Sequence, residues 1–384
     1  MKYDSPALTE LRQKLADVDL LMQRGILTDA DTGRDYFTGY SYKTLYDWDQ
    51  YFEAIVQIYM GWPPDYIFNA VRIFLDHQLP SGHIVRSVPG NEWHDPEHVK
   101  PFLCQILNLG RDCYGEPEWI AEPEYYARLK RYIDYWLVEM DTTQSGLSEW
   151  MSAPHTGMDN QHERAGWWKD RFSKGVDLNC YLVRELRAFA ALATSLERTE
   201  DAAETTQKAD ALADRIRTRM WNEEEGFFFD LDLRTGKQIP VKAVSGFAPL
   251  WAKVATPEQA ERLVHEHLFN AAEFWTPQAV ATISKSQPGY SRELLPKDLG
   301  CNWRACVWIP TNYMLYHGLR YYGYNQLGSI LARTTHRLVE KSGNREWYDS
   351  ETGEGCGLDP FWGWSLLGHF LPFEETAQFD ITDL

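Results

Sequence analysis

The 384-residue sequence has little that would take it into or across a membrane. No stretch approaches the roughly 20 consecutive apolar residues of a membrane span. The opening segment MKYDSPALTELRQKL is polar and lacks the apolar core of a signal peptide. A cytoplasmic protein is therefore expected. Cysteine is scarce and scattered: Cys104, Cys113, Cys180, Cys301, Cys306 and Cys356 form no C-x-x-C pair and no Cys/His spacing of a zinc site. They read as buried, reduced thiols, with no metal site. Positive charge is also short, with 38 Lys and Arg against 56 Asp and Glu and a net charge of −18. A surface this acidic repels phosphate backbones and anionic lipid, which argues against nucleic acid and membrane partners. Strand signals are few, and no low-complexity linker or fixed-period repeat divides the chain.

Apolar residues make up 44% of the chain, enough for a large core, and aromatics are in surplus, with 16 Trp and 21 Tyr. Helical periodicity dominates. Leu8, Leu11, Leu15, Val18, Leu21 and Met22 form a stripe across 7–24. The run 47–60 is stopped by Gly61 and Pro63–Pro64. Further helices are predicted near 65–78, 97–112, 122–140, 177–197, 202–221, 244–254, 257–268, 308–322, 325–341 and 361–370. The best strand candidate surrounds Gly226, where Thr235–Gly236 can turn a short hairpin. About a dozen paired helices fit an α-solenoid or a closed (α/α)6 barrel. A solenoid would show a repeat period, which is missing. The expectation is an all-α chain with one (α/α)6-barrel domain over 1–384. Its long loops at 80–97, 142–176, 276–304 and 342–360 gather at one mouth, where a rigid scaffold carries function.

Among so many acids, those in aromatic, Gly-rich loops stand out. Asp159 lies in Ser152-Ala153-Pro154-His155-Thr156-Gly157-Met158-Asp159-Asn160, just before Trp167 and Trp168. Glu346 lies in Arg345-Glu346-Trp347-Tyr348-Asp349, ahead of Phe361-Trp362-Gly363-Trp364-Ser365. Nearby rings can raise an acid's pKa by desolvation or stack on a sugar; a turn-forming or solvated acid is the alternative for each. Arg304, between Trp303 and Trp308, suits a bidentate clamp on a substrate or a structural pair with a buried acid. In Tyr46-Asp47-Trp48-Asp49 the acids suit a helix cap or a barrel mouth.

Taken together these segments resemble glycoside hydrolase family 63, in its mannosylglycerate/glucosylglycerate hydrolase branch, near the trehalases of family 37. Five blocks carry the resemblance in order along almost the whole chain. Asp47-Trp48-Asp49 matches an early W-D, and Gly157-Met158-Asp159-Asn160 matches G-[ML]-D-N, which holds the general acid. Val176-Asp177-Leu178-Asn179 resembles V-D-L-N, and Trp303-Arg304-x-x-Val307-Trp308 resembles W-R-G-P-V-W. Glu346-Trp347-Tyr348-Asp349 through Thr352-Gly353-Glu354, then Trp364-Ser365, resembles E-Y-Y-x-P-x-T-G-E followed by S-W-T, whose first acid is the general base. The chain departs from the pattern at His155-Thr156, at Gln161-His162-Glu163-Arg164, at Ala305-Cys306 and at Lys100.

The resemblance implies an inverting α-glycosidase without a cofactor, acting on a small carbohydrate. Asp159 would protonate the leaving oxygen, and Glu346 would activate water on the opposite face. Tyr46, Trp48, Asp49, Gln78, Asn160, Arg304, Trp308, Trp347 and Trp364 would bind substrate. Lys100, His155, Trp167 and Trp168 are assigned to the leaving-group side. Two rivals stay open. One is an N-acylglucosamine-2-epimerase-like enzyme on the same barrel, which would use paired histidines as bases; candidates are His77, His83, His94, His98 and His155. The other is an inert sugar-binding protein.

Overall fold

The computed structural model describes residues 5–41, 43–90, 96–166, 173–294 and 300–377. Trp167, Trp168 and His94 lie outside them. Among the described residues the regular structure is mostly α-helical, with strands of two or three residues. The chain divides into two compact units, one of residues 1–139, 184–208 and 360–384, the other of residues 140–183 and 209–359.

The first unit is built around the helices Asp49–Met60, Asp65–Asp76, Leu103–Tyr114 and Pro123–Asp134. Every residue of Asp49–Met60 is buried. That explains why its apolar residues lie on every face, and it ends at Gly61, which takes a left-handed φ of 79° that few other residues adopt. The predicted helix at 97–112 begins only at Leu103. His98 bridges Val85 as a strand, and the Lys100 N–H is taken by Asp47 Oδ2 at 2.9 Å, so the backbone is extended until Pro101 has passed. The stripe at 7–24 is two helices, Pro6–Lys14 and Ala16–Met22, broken at Leu15.

In the second unit the helices Ile309–Tyr321 and Asn325–Ser342 pack as a pair. The predicted turn at Thr235–Gly236 is present: Leu231 bridges Gln238, and Gly236 has φ 67°. A second hairpin joins Trp221–Asn222 to Phe227–Phe228 around Gly226. A three-stranded antiparallel sheet joins Cys306–Val307, Trp347–Asp349 and Gly355–Cys356. Cys306 pairs with Asp349, and Trp347 with Cys356. This register runs Trp308 toward Trp347, the residue that follows Glu346.

Candidate active site

Asp159 stands between two one-turn helices, Ala153–Thr156 and His162–Ala165, where the sequence suggested only a loop. Ser152 starts the first by accepting the His155 N–H at 3.1 Å, Pro154 suits its first turn, and Gly157 ends it at φ 82°. Asp159 therefore sits on a short, sharply bounded segment and keeps partial exposure.

That segment is clamped to the Trp–Arg block at two points. Asn160 Oδ1 accepts the Trp303 N–H at 2.8 Å, and Gln161 Nε2 donates to the Trp303 carbonyl at 2.6 Å. Beneath it, Arg164 donates to Gln161 Oε1 at 2.8 Å and to the carboxylates of Asp177 and Asp230. All three charged groups are buried. Burial alone would expel these ions, so each depends on the others for its charge. Where the resembled family has an aromatic after its D-N, this chain has a buried cation.

Glu346 is 7% exposed and held at both oxygens. The Leu358 N–H donates to Oε2 at 3.0 Å, and the Cys301 thiol donates to Oε1 at 3.7 Å. Asp159 faces the same thiol, so that both acids bear on Cys301. Burial, aided by the negative charge of Asp159, lifts the Glu346 carboxyl to about 7. Gly357, at φ 72°, passes so close to Glu346 Oε2 and the Trp347 indole nitrogen that no side-chain carbon fits there.

A wall of indoles adjoins this pair. Trp303 and Trp308 stack at 3.7 Å with planes 10° apart, and Trp347 continues the stack at 6.3 Å and 22°. Trp308 is fixed by donating to the Asn302 carbonyl at 2.8 Å. Arg304 donates to the Glu293 carbonyl at 3.0 Å. His155 is fully buried, and its Nδ1 accepts the Met151 N–H at 3.3 Å.

The remaining predicted residues belong to the first unit. Trp48 and Trp364 are buried and meet edge-on at 6.4 Å, and Tyr46 packs against Tyr40. Asp49 is buried and lifted to about 7, first by burial and then by Asp47, with Lys100 opposing. Lys100 is itself buried and paired with Asp47 at 3.1 Å, 5.7 Å from the Trp48 ring centroid. Gln78 spends its amide on the carbonyls of Gly82 and Arg128 and on Arg131. His98 has Nδ1 on the Ile84 N–H and Nε2 on the Tyr132 carbonyl, so both nitrogens that an epimerase base needs are engaged by backbone. Among the described residues, Asp29, Asp31 and His77 alone are close enough to share a cation. Asp29 already accepts from the N–H and hydroxyl of Thr32.

Cys301, Gln161, Arg164, Asp230 and Gly357 were not predicted as site residues. Arg164 had a signal in its departure from the family pattern. Cys301 had none, because its neighbours are distant in sequence.

The sequence signature of the mannosylglycerate hydrolase MGH1-like glycoside hydrolase domain matches residues 42–365. The mannosylglycerate hydrolase of Thermus thermophilus is 36% identical over 149 residues, which is 38% of this chain and 33% of that protein. The mannosylglycerate hydrolase of Rubrobacter radiotolerans is 31% identical over 195 residues, 50% of this chain and 42% of that protein. The chain thus matches well under two thirds of the length of these curated relatives. The crystal structure of the Thermus thermophilus family 63 mannosylglycerate hydrolase with glucose superposes with a TM-score of 0.74 at 22% identity, covering 94% of this chain and 99% of that one. Neutral trehalase of Saccharomyces cerevisiae gives 0.65 at 19% identity, covering 91% and 76%. The fold is the all-α (α/α)6 barrel that these structures share.

Proposed function

This chain belongs to the mannosylglycerate hydrolase MGH1-like glycoside hydrolase family, and we propose that it is an inverting α-glycosidase acting on small α-glycosides, with Asp159 as general acid and Glu346 as general base. The observation that carries the reading is the Cys301 contact with both acids: two carboxyls from distant parts of the chain lie against one thiol. They are near enough for the charge of Asp159 to act on Glu346, as two groups serving one substrate require. An inverting pair needs about 6.5–9.5 Å between its carboxyl groups to admit the attacking water.

Glu346 accepts the water's proton, and a base lifted to about 7 is poised to do so near neutrality. Asp159, on the partly exposed segment, gives its proton to the leaving oxygen. The indoles of Trp308 and Trp347 offer a flat apolar wall for a sugar face, and Arg304 and Asn160 supply donors for hydroxyls. In the first unit, Tyr46, Trp48, Asp49 and Trp364 are proposed as sugar binders, and Lys100 as a leaving-group contact, on the family resemblance alone. Gln78 and His155 stay among the proposed substrate contacts on the family resemblance alone. The substrates proposed are α-mannosides or α-glucosides of glycerate or glycerol, trehalose-like disaccharides and short α-gluco-oligosaccharides. The relatives' names favour mannosylglycerate. The chain is proposed to act as one catalytic domain without a cofactor, in the cytoplasm; no described helix is long and apolar enough to cross a membrane.

The test is incubation with mannosylglycerate, trehalose and maltotriose, followed by proton NMR of the sugar released. The expected first product is the β-anomer. A first-formed α-anomer overturns inversion, and no cleavage of any α-glycoside overturns the activity.

A further inference from the structure

Resting on that acid/base reading, we infer that Cys301 is a positioning residue for the pair, its thiol holding the Glu346 carboxylate in place and favouring its ionised form. Glu346 Oε2 is fixed by the Leu358 N–H at 3.0 Å, a backbone donor that cannot turn away. Oε1 is met by the Cys301 sulfur at 3.7 Å, the distance of a sulfur hydrogen bond. With one oxygen anchored to backbone and the other to the thiol, the carboxylate has one orientation, and Gly357 packs against it from behind.

The thiol has one proton to give, so it serves one acid at a time. Donation to Glu346 stabilises the anion. Donation to Asp159 would leave Glu346 more basic, so the choice couples the two acids without letting them share a proton. Burial and the two carboxylates push the Cys301 thiol well up, so it stays protonated and remains a donor. Among the described residues, the titratable groups that face Glu346 are Asp159 and Cys301. Arg345 beside it turns to Asp359 at 3.3 Å and to the carbonyls of Gly357 and Leu358. Arg304 turns to the Glu293 carbonyl. The buried Trp347 indole N–H, without an acceptor among the described residues, lies on the same side as Oε2. It marks this carboxylate as part of a site that a ligand oxygen completes.

The experiment titrates the Glu346 carboxyl in the free full-length protein by infrared difference spectroscopy, the band being assigned by its loss in Glu346→Gln. Cys301→Ala is expected to move the midpoint up by about half a unit to one unit, the net worth of one ordinary hydrogen bond, as suits a weak thiol donor. Cys301→Ser, which keeps a donor, is expected to restore it. In parallel, kcat/KM on mannosylglycerate should fall about three- to tenfold in Cys301→Ala at pH 6 and stay within about twofold at pH 8.5. An unmoved midpoint in Cys301→Ala, or an equal shift in Cys301→Ser, overturns the inference. So does a loss of activity that is the same at every pH. If Glu346→Gln keeps native activity, the acid/base reading fails instead, and the infrared midpoint still decides whether the thiol holds the carboxylate.

Discussion

Asn160 Oδ1 accepts the backbone N–H of Trp303 at 2.8 Å, tying the residue after the proposed acid to the residue before Arg304. Both partners are almost fully buried. Asn160→Ala strands the Trp303 N–H and should lower stability by about 1–3 kcal/mol. Because the same bond places Asp159, kcat should fall further than unfolding accounts for. Denaturant unfolding and single-turnover rates on the same variant separate the two effects.

Removing either acid tests the chemistry. Asp159→Asn and Glu346→Gln should each lower kcat by about 10²–10⁴-fold, the usual contribution of one general acid or base. Circular dichroism melts should stay near native, since both substitutions keep the shape of the side chain. A loss below tenfold in either variant would remove that residue from the mechanism.

The pH profile follows from Glu346. The base must be ionised and the acid protonated, so kcat/KM should rise about tenfold per pH unit up to about 7 and fall again at the higher pH where Asp159 gives up its proton. Stability should run the other way over the same interval. Glu346, Asp49 and Glu185 all have folded-state values of about 7, above those of the unfolded chain. The folded state then binds their protons more tightly. Their stabilising contribution is fully present below the unfolded value and is lost as pH rises through about 7. Burial pushes Asp141 and Asp349 up, but Lys174 and Arg292 outweigh it and hold them low, so their contribution is lost as pH falls below about 4. The melting temperature should therefore peak near about pH 5, on the acid side of the activity maximum. Calorimetry from pH 4 to 9 checks this.

Gly357→Ala should abolish most activity. The new methyl carbon would have to displace Glu346 Oε2, and φ 72° adds about 1–2 kcal/mol of backbone strain. Gly236→Ala is the control, with φ 67° and nothing within 4 Å of the added carbon. It should show similar strain with native kcat. Equal kcat losses in the two variants would mean that Gly357 acts only through the backbone.

Arg164→Met leaves Asp177 and Asp230 buried without their shared cation. The expected cost is about 3–5 kcal/mol, the size found when one partner of a buried ion pair is removed. Denaturant midpoints measure it. A cost near zero would show that the two aspartates take up protons or water instead.

The sequence made much of this architecture legible, because long helices announce themselves by period. Asp65–Asp76, Val176–Ser195, Ile309–Tyr321 and Asn325–Ser342 fall within a few residues of the predicted spans. The one-turn helices beside Asp159 were hidden, since four residues display no period; Ser152 and Gly157 bound the first. Glu346 and Asp159 stood out by the aromatic, Gly-rich character of their surroundings, and only the ordered blocks that resemble family 63 gave them roles. Their common neighbour did not stand out, because Cys301 meets them only through the clamp of Asn160 and Gln161 on Trp303. Lys100 read as an oddity in a sugar site. Its partner, Asp47, is 53 positions away and was read as part of a different block.

The stack of Trp303, Trp308 and Trp347 has an optical consequence. Indoles packed at 3.7 Å and nearly parallel share their electronic excitation, which gives a near-ultraviolet dichroism that separated rings lack. Trp347 directly follows Glu346 in the chain, so a movement of that carboxylate disturbs one end of the stack. The protein thereby carries its own unlabelled reporter, able to register a colourless sugar arriving beside the acids before any bond is broken.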